Sequence, residues 1–151
     1  MVSKALIPVA GRGTRLRPLT SVVPKALLPL VDDSGTMKCV LHVICEQAVH
    51  SGAAHIGVVA SPWQIDMLRQ YFDAVDECGF AKLPATVEYI TQVSPKGFGD
   101  AVLQGRSFVG DEPFLLLLGD HVQMEDGGQP ACSLQVVKAF DSTDAVAMVG
   151  M

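Results

Sequence analysis

The sequence predicts an α/β protein, a mostly parallel sheet covered by helices on both faces. Two observations carry this expectation. Short apolar runs alternate with segments of helical periodicity along the whole chain. The runs are apolar almost without interruption, as strands buried on both faces are. Hydrophobic residues make up 49% of the 151 and charged residues 18%, with a mean hydropathy of +0.34. That balance excludes a disordered chain and is enough to build one domain with a real core.

Each element has a local reason. "KALIPVA" (4–10) reads as a short buried strand closed by a glycine loop. "MKCVLHVICEQAVHSG" (37–52) sets Val40, Leu41, Ile44, Cys45 and Ala48 on one helical face and stops at Gly52. "AHIGVVAS" (54–61) is the next strand. Ser61 then serves as an N-cap, with Pro62 in the first turn and Gln64 completing a capping box. Ile65, Leu68, Phe72 and Val75 follow at helical spacing, and residues 76–85 read as a loop. "TVEYITQ" (86–92) is a strand, and Gly97 to Gly99 precede a helix over 100–109. Asp100 sits favourably at the positive end of that helix. "PFLLLLGD" (113–120) is the most convincing central strand. A polar loop (119–130), a helix (131–141) and a last apolar strand, "DAVAMVGM", complete the pattern.

Several function classes drop out. The longest apolar runs, such as "FLLLL" at 114–118, are far too short to span a bilayer. The N-terminus does not read as a signal peptide, and a cytoplasmic location is expected. Cys39, Cys45, Cys78 and Cys132 form no CxxC pair and read as scattered buried thiols. His42, His50 and His55 lack metal spacing and read as surface or partly buried. A net charge of −5 argues against a nucleic-acid binder. The charge is uneven, however. Residues 1–31 carry Lys4, Arg12, Arg15, Arg17 and Lys25 and no acid, whereas all sixteen acids lie beyond. A cationic patch in an acidic protein suits a small anion.

In an open α/β sheet ligands bind beyond the carboxyl ends of the strands. Three loops lie there: 10–17, 92–99 and 119–122. "GRGTR" (11–15) is no dinucleotide fingerprint, because the third glycine would fall on Leu16, and no P-loop motif exists in the chain. Two glycines still let backbone N–H groups approach a phosphate, with Thr14 and Arg15 as further donors and Lys25 as a point charge. A tight turn with solvated basic residues is the alternative. Asp120 follows a fully apolar strand, where a carboxylate must be paired, hydrogen-bonded or metal-bound. It is either a Mg²⁺ ligand facing a phosphate or an acid in a strand-terminal turn, and His121 beside it is a rim residue. Gln92 can offer a donor and an acceptor to a nucleobase edge, with Gly97 allowing a flat ring to approach; a polar loop is the alternative.

"ALIPVAGRGTRLRPLTSVVPKALLPLVD", "GFGDAV" and "FLLLLGD", in this order, closely resemble the sugar-nucleotide pyrophosphorylases of the nucleotidyltransferase family, most of all the bacterial-type UTP–glucose-1-phosphate uridylyltransferases. The resemblance covers essentially the whole chain. It implies a three-layer α/β/α, Rossmann-like, glycosyltransferase-A-like nucleotidyltransferase fold, truncated here to residues 1–151 as the nucleotide-binding half. It implies that Ala10, Gly11, Gly13 and Thr14 hold the nucleotide and that Arg15 and Lys25 act on the phosphates. Gln92 and Gly97 would read uracil, and Asp120 would bind Mg²⁺. Members of this subgroup often carry His where this chain has Asp100, and Asp or Asn where it has His121. They are usually longer, with a second half that supplies most of the sugar pocket and a second metal aspartate. The partners implied are UTP and a sugar 1-phosphate, with neither nucleic acid nor membrane, and with a homo-oligomer or a complementing second chain as further options. A non-catalytic nucleotide-binding or regulatory module, or an inactive fragment, is the rival reading.

Overall fold

The computed structural model describes residues 2–32, 34–79, 82–123 and 131–150. Along the chain run β1 (Lys4–Pro8), β2 (Pro29–Val31), β3 (Met37–Cys39), α1 (Val40–His50), β4 (His55–Ala60), α2 (Pro62–Cys78), β5 (Thr86–Thr91), α3 (Phe98–Gln104), α4 (Arg106–Val109), β6 (Phe114–Leu116) and α5 (Cys132–Asp141). Four strands pair in parallel in the order β5-β4-β1-β6, with Ala5 opposite both Ile56 and Leu115. The expected α/β sheet is present.

Successive strand residues point to opposite faces, and each face has its own helices. Ala5, Ile7, Ile56, Val58 and Leu115 pack with Leu41 and Ile44 of α1, Leu68 of α2 and Val137 of α5. Leu6 and Val59 turn the other way and meet Ala101 of α3 and Val109 of α4. Burying each large side chain stabilises the fold by about 1.5–3 kcal/mol. The sheet therefore lies between two helical layers.

Several elements differ from expectation. The helix expected over 100–109 is two pieces, broken at Gly105, where a Cβ would stand 2.6 Å from Leu6 Cδ1. That close approach sets α3 and α4 directly on the sheet. The helix after Ser61 runs on to Cys78 and ends at Gly79, whose φ of 68° and N–H to the Val75 carbonyl form its cap. The loop there is thus shorter than residues 76–85. Residues 37–39 are a strand, paired antiparallel with 29–31, because Asp32 organises a turn between them. The expected central strand is an edge strand among the described residues, paired with β1 alone. Leu115 and Leu117 are buried, while Leu116 and Leu118 are 39% and 38% exposed. One face of β6 is covered, while the other is packed at Phe114 and partly exposed beyond it. Residues 144–150 form no strand, and Val146 is fully exposed. Part of the expected loop, 124–130, lies outside the described residues.

The thiols and imidazoles also need correction. All four cysteines are free; Cys39 and Cys45 are buried, but Cys78 and Cys132 are exposed. His42 is fully buried, held at Nδ1 by the Tyr71 hydroxyl at 3.0 Å. The same hydroxyl accepts from the Cys39 N–H at 3.1 Å, and the Cys39 sulfur caps α1 by accepting from the His42 N–H. These contacts tie the ribbon to α1 and α2.

The Asp32 turn yields a pH prediction. Lys38 bridges Asp32 at 2.8 Å and Glu46 at 2.7 Å, and Ser34 and Thr36 also donate to Asp32. The Lys38 ammonium, then the Ser34 and Thr36 donors, hold the Asp32 carboxyl well below its ordinary value. A lowered folded-state pKa gives stability that is present at neutral pH and fades as pH falls below the unfolded carboxyl's value of about 4. Asp32→Asn is expected to lower stability near pH 7 and to match the parent in strong acid. Urea unfolding across that range checks it, and a difference constant with pH refutes it.

Candidate active site

The sheet order places a crevice beyond the carboxyl ends of β1, β5 and β6. The chain leaves β1 toward β4 on one side and arrives at β6 on the other, which is the switch point where open α/β sheets bind ligands. A cleft of about 770 Å³ opens there. Its wall brings together the nine residues expected to hold nucleotide, phosphate or metal: Ala10, Gly11, Gly13, Thr14 and Arg15 of the first loop, Lys25, Gln92 and Gly97, and Asp120. His121 joins them as a rim residue, its side chain 68% exposed. Arg12 and Arg17 do not line the cleft.

The first loop is built by glycine and threonine. Gly13 has a φ of 60°, and a Cβ on it would meet the Thr20 methyl at 2.9 Å. Only glycine fits both conditions at low cost. Thr20, buried, donates its hydroxyl to the Gly13 carbonyl at 2.7 Å and so staples the loop's two ends. Single turns over Thr14–Leu16 and Leu19–Ser21 flank a cis Arg17–Pro18 bond. The N–H groups of Gly11, Arg12 and Gly13 meet no backbone carbonyl among the described residues. They remain available to an anion. Below the loop, Gln64 accepts from the Ser61 N–H at 2.9 Å and donates to the Val9 carbonyl at 3.2 Å. The start of α2 is thereby fixed to the end of β1.

Asp120 reaches the cleft through Gly119. A Cβ at Gly119 would lie 2.6 Å from the Pro8 carbonyl oxygen, so the segment that follows β6 rests directly on the end of β1. Asp120 is ion-paired with Lys25 across the cleft, the side chains 34% and 31% exposed. The Lys25 ammonium holds the Asp120 carboxyl below its ordinary value, against the opposing effect of burial. Among the described residues no group of three or more His, Cys, Asp or Glu could hold a metal. The donor set is one hard carboxylate oxygen source already drawn to a cation. That fits Mg²⁺ completed by phosphate oxygens and water, and no self-sufficient metal cage.

Gln92 is buried, and its Nε2 donates to the Asp100 carboxylate at 2.6 Å and the Gly97 carbonyl at 3.3 Å. Asp100 and Thr20 are the residues that sequence reasoning missed as parts of the site. Asp100 read as a charge at a helix start and as a departure from the subgroup's His, and Thr20 carried no reading of its own. Neither spacing carries a signal, because each contact is set by how a loop folds back on itself.

Known proteins bear on this geometry. The sequence model of the nucleotidyl transferase family matches residues 4–150. The chain belongs to the nucleotidyl transferase family. It is 35% identical to the UTP–glucose-1-phosphate uridylyltransferase of Mycoplasma pneumoniae, covering 95% of this chain and 52% of that protein. With the enzyme of the same name from Bacillus subtilis the identity is 39%, over 84% and 47% of the two chains. Among solved structures, UDP-glucose pyrophosphorylase complexed with UDP-glucose superposes with a TM-score of 0.79 at 28% identity, over 93% of this chain and 54% of that one. UTP-bound UGPase from Acinetobacter baumannii gives 0.78 at 26%, over 96% and 54%. This nucleotidyl transferase chain therefore spans about half the length of the relatives it matches. No helix among its described residues is long and apolar enough to cross a membrane.

Proposed function

We propose that this nucleotidyl transferase chain binds UTP and forms the donor half of a site that transfers uridylyl from UTP to a sugar 1-phosphate, glucose 1-phosphate first. The products are a UDP-sugar and pyrophosphate, and the setting is the cytoplasm. The observation that carries the reading is the convergence of three strand-end loops on one cleft, with donors, cations and a carboxylate facing each other. UTP and UDP-glucose appear in the names of the similar structures, and the curated relatives are uridylyltransferases.

In this reading a phosphate oxygen of the sugar 1-phosphate attacks the α-phosphorus of UTP and pyrophosphate leaves, with no covalent enzyme intermediate. The chain's contribution is alignment and charge neutralisation. Backbone N–H groups of Gly11 and Gly13, with Thr14, hold the triphosphate beside Ala10. Arg15 grips phosphate oxygens through its planar fork and Lys25 adds a point charge, so both oppose the charge moving to pyrophosphate. Gln92 and Gly97 face the uracil. Asp120 is the residue that would hold Mg²⁺, which when bound supplies neutralisation of phosphate charge. Residues 1–151 are in this proposal the nucleotide-binding half, and the sugar-phosphate contacts come from outside them.

A UTP titration beside a pyrophosphate-release assay with UTP and glucose 1-phosphate tests the reading. Binding with release supports transfer. Binding without release selects a nucleotide-binding or regulatory module, the alternative favoured by a chain that spans about half of its relatives. Undetectable binding at millimolar UTP in a folded sample refutes both. Arg15→Ala gives a sharper check, since Arg15 is exposed in its loop. Losing a charged hydrogen bond costs about 1.5–3 kcal/mol, so UTP affinity is expected to fall about tenfold to hundredfold while the melting temperature holds. Equal affinity would remove the loop from the site.

A further inference from the structure

A free glutamine side chain offers both a donor and an acceptor. The surroundings of Gln92 allow only one of them. The Asp100 carboxylate and the Gly97 carbonyl are both acceptors, and they lie 2.6 and 3.3 Å from the same side-chain atom. That atom must be the NH₂ group, and its two hydrogens are then both engaged. The Gln92 backbone N–H is also committed, to the Ala60 carbonyl at 2.8 Å. No described residue donates to Gln92 Oε1. Asp100 is itself steadied, since its other oxygen accepts from Gln104 Nε2 at 3.5 Å. The chain Gln104, Asp100, Gln92 thus leaves a single side-chain polar atom of Gln92 for a ligand. That atom accepts only.

We propose that Asp100 sets base choice in this cleft by locking Gln92 as a hydrogen-bond acceptor, which selects a base carrying a ring N–H, N3–H in uracil, against one carrying a ring lone pair, N3 in cytosine. The inference rests on the reading of the cleft as a UTP site, and it goes further by naming a positioning residue outside the cleft wall. Asp100 touches no base. It works through the amide it orients. Uridine and cytidine nucleotides share the sugar and the triphosphate, so the same loop contacts fix the same pose. In that pose the Gln92 Oε1 meets a donor in one case and a second lone pair in the other. A site whose buried polar group is left facing a like group discriminates strongly, because neither can turn to water.

The choice of Asp at this position matters because a carboxylate cannot donate. An asparagine of the same shape can present either end, and the amide pair it forms with Gln92 can then reverse as a unit. Only the Gly97 carbonyl would then still favour the original orientation, so a fraction of molecules would offer the Gln92 NH₂ to the base, and N3 of cytosine would find a donor.

The test measures equilibrium binding of UTP and CTP to the full chain and to Asp100→Asn by calorimetry, with Mg²⁺ present. The parent is expected to bind UTP about tenfold to hundredfold more tightly than CTP. Asp100→Asn is expected to bring that ratio down by about tenfold, chiefly by a gain in CTP affinity. A gain of binding is a readout that mere disorder of the loop would not produce. An unchanged ratio in Asp100→Asn, whether both affinities hold or both fall in parallel, overturns the proposal and leaves the UTP reading standing. A parent that does not bind UTP overturns the UTP reading, and this inference with it. A parent that prefers CTP refutes the N3–H contact directly.

Discussion

Asp120→Asn is expected to remove most of the Mg²⁺ dependence of UTP binding while leaving the fold intact. In the free protein Asp120 is paired with Lys25. A triphosphate bound with Mg²⁺ must separate that pair, because phosphate oxygens compete for the ammonium and the hard cation competes for the carboxylate. Without Mg²⁺ the parent carboxylate both repels the phosphates and holds Lys25 away from them. The neutral amide keeps the shape but ligates Mg²⁺ poorly. Metal-free UTP affinity should therefore rise, and the gain on adding Mg²⁺ should shrink by about tenfold or more, the worth of a lost charge-assisted contact of about 1.5–3 kcal/mol. Calorimetric titration with UTP in Mg²⁺ and in chelator measures both effects. An unchanged Mg²⁺ response would show that Asp120 is only a turn residue.

Stability should respond far less. Both side chains are about one-third exposed, and screening reduces such a pair to about 0–1 kcal/mol. The sign follows from the lowered Asp120 carboxyl. Its contribution is present at neutral pH and disappears as pH falls through the carboxylate range. The carboxylate is not left unpaired, so removing it offers no relief of a buried charge.

What the sequence shows and what it hides divide along physical lines. The sheet was legible because Ile7, Ile56, Val58 and their neighbours report burial in their own chemistry. The cleft was legible because glycines and cations gathered at strand ends leave a chemical trace. The β2–β3 ribbon was not, since three residues per strand carry no period and its turn is closed by Asp32 through side-chain contacts. Cys39 as a cap was hidden too, because sulfur is rarely the atom that caps a helix. The break at Gly105 depends on Leu6, almost a hundred residues away. The edge position of β6 is a matter of pairing: four leucines in a row announce a strand but not how many neighbours it has. Asp100 belongs with these, for its meaning lies in the amide it faces.

Gly119→Val is expected to damage folding and binding together, whereas Gly11→Ala should touch binding alone. A Cβ at Gly119 would stand 2.4 Å from Val9 Cγ1 and 2.6 Å from the Pro8 carbonyl oxygen. The second contact is with the backbone of Pro8, the last residue of β1, so no rotamer change relieves it. Overpacking of this kind costs about 1–3 kcal/mol, and a branched side chain against backbone belongs at or above the upper end. The end of β6 must lift from β1, carrying Asp120 away from Lys25. At Gly11 a Cβ meets nothing within 4 Å, so alanine is tolerated by the fold. If the phosphates lie against that glycine, the added methyl group occupies their space and UTP affinity falls with an unchanged urea midpoint. Paired unfolding and titration curves for the two variants decide the matter. A stable Gly119→Val with normal affinity would contradict the close approach of β6 to β1. An undiminished affinity in Gly11→Ala would place the triphosphate elsewhere in the cleft.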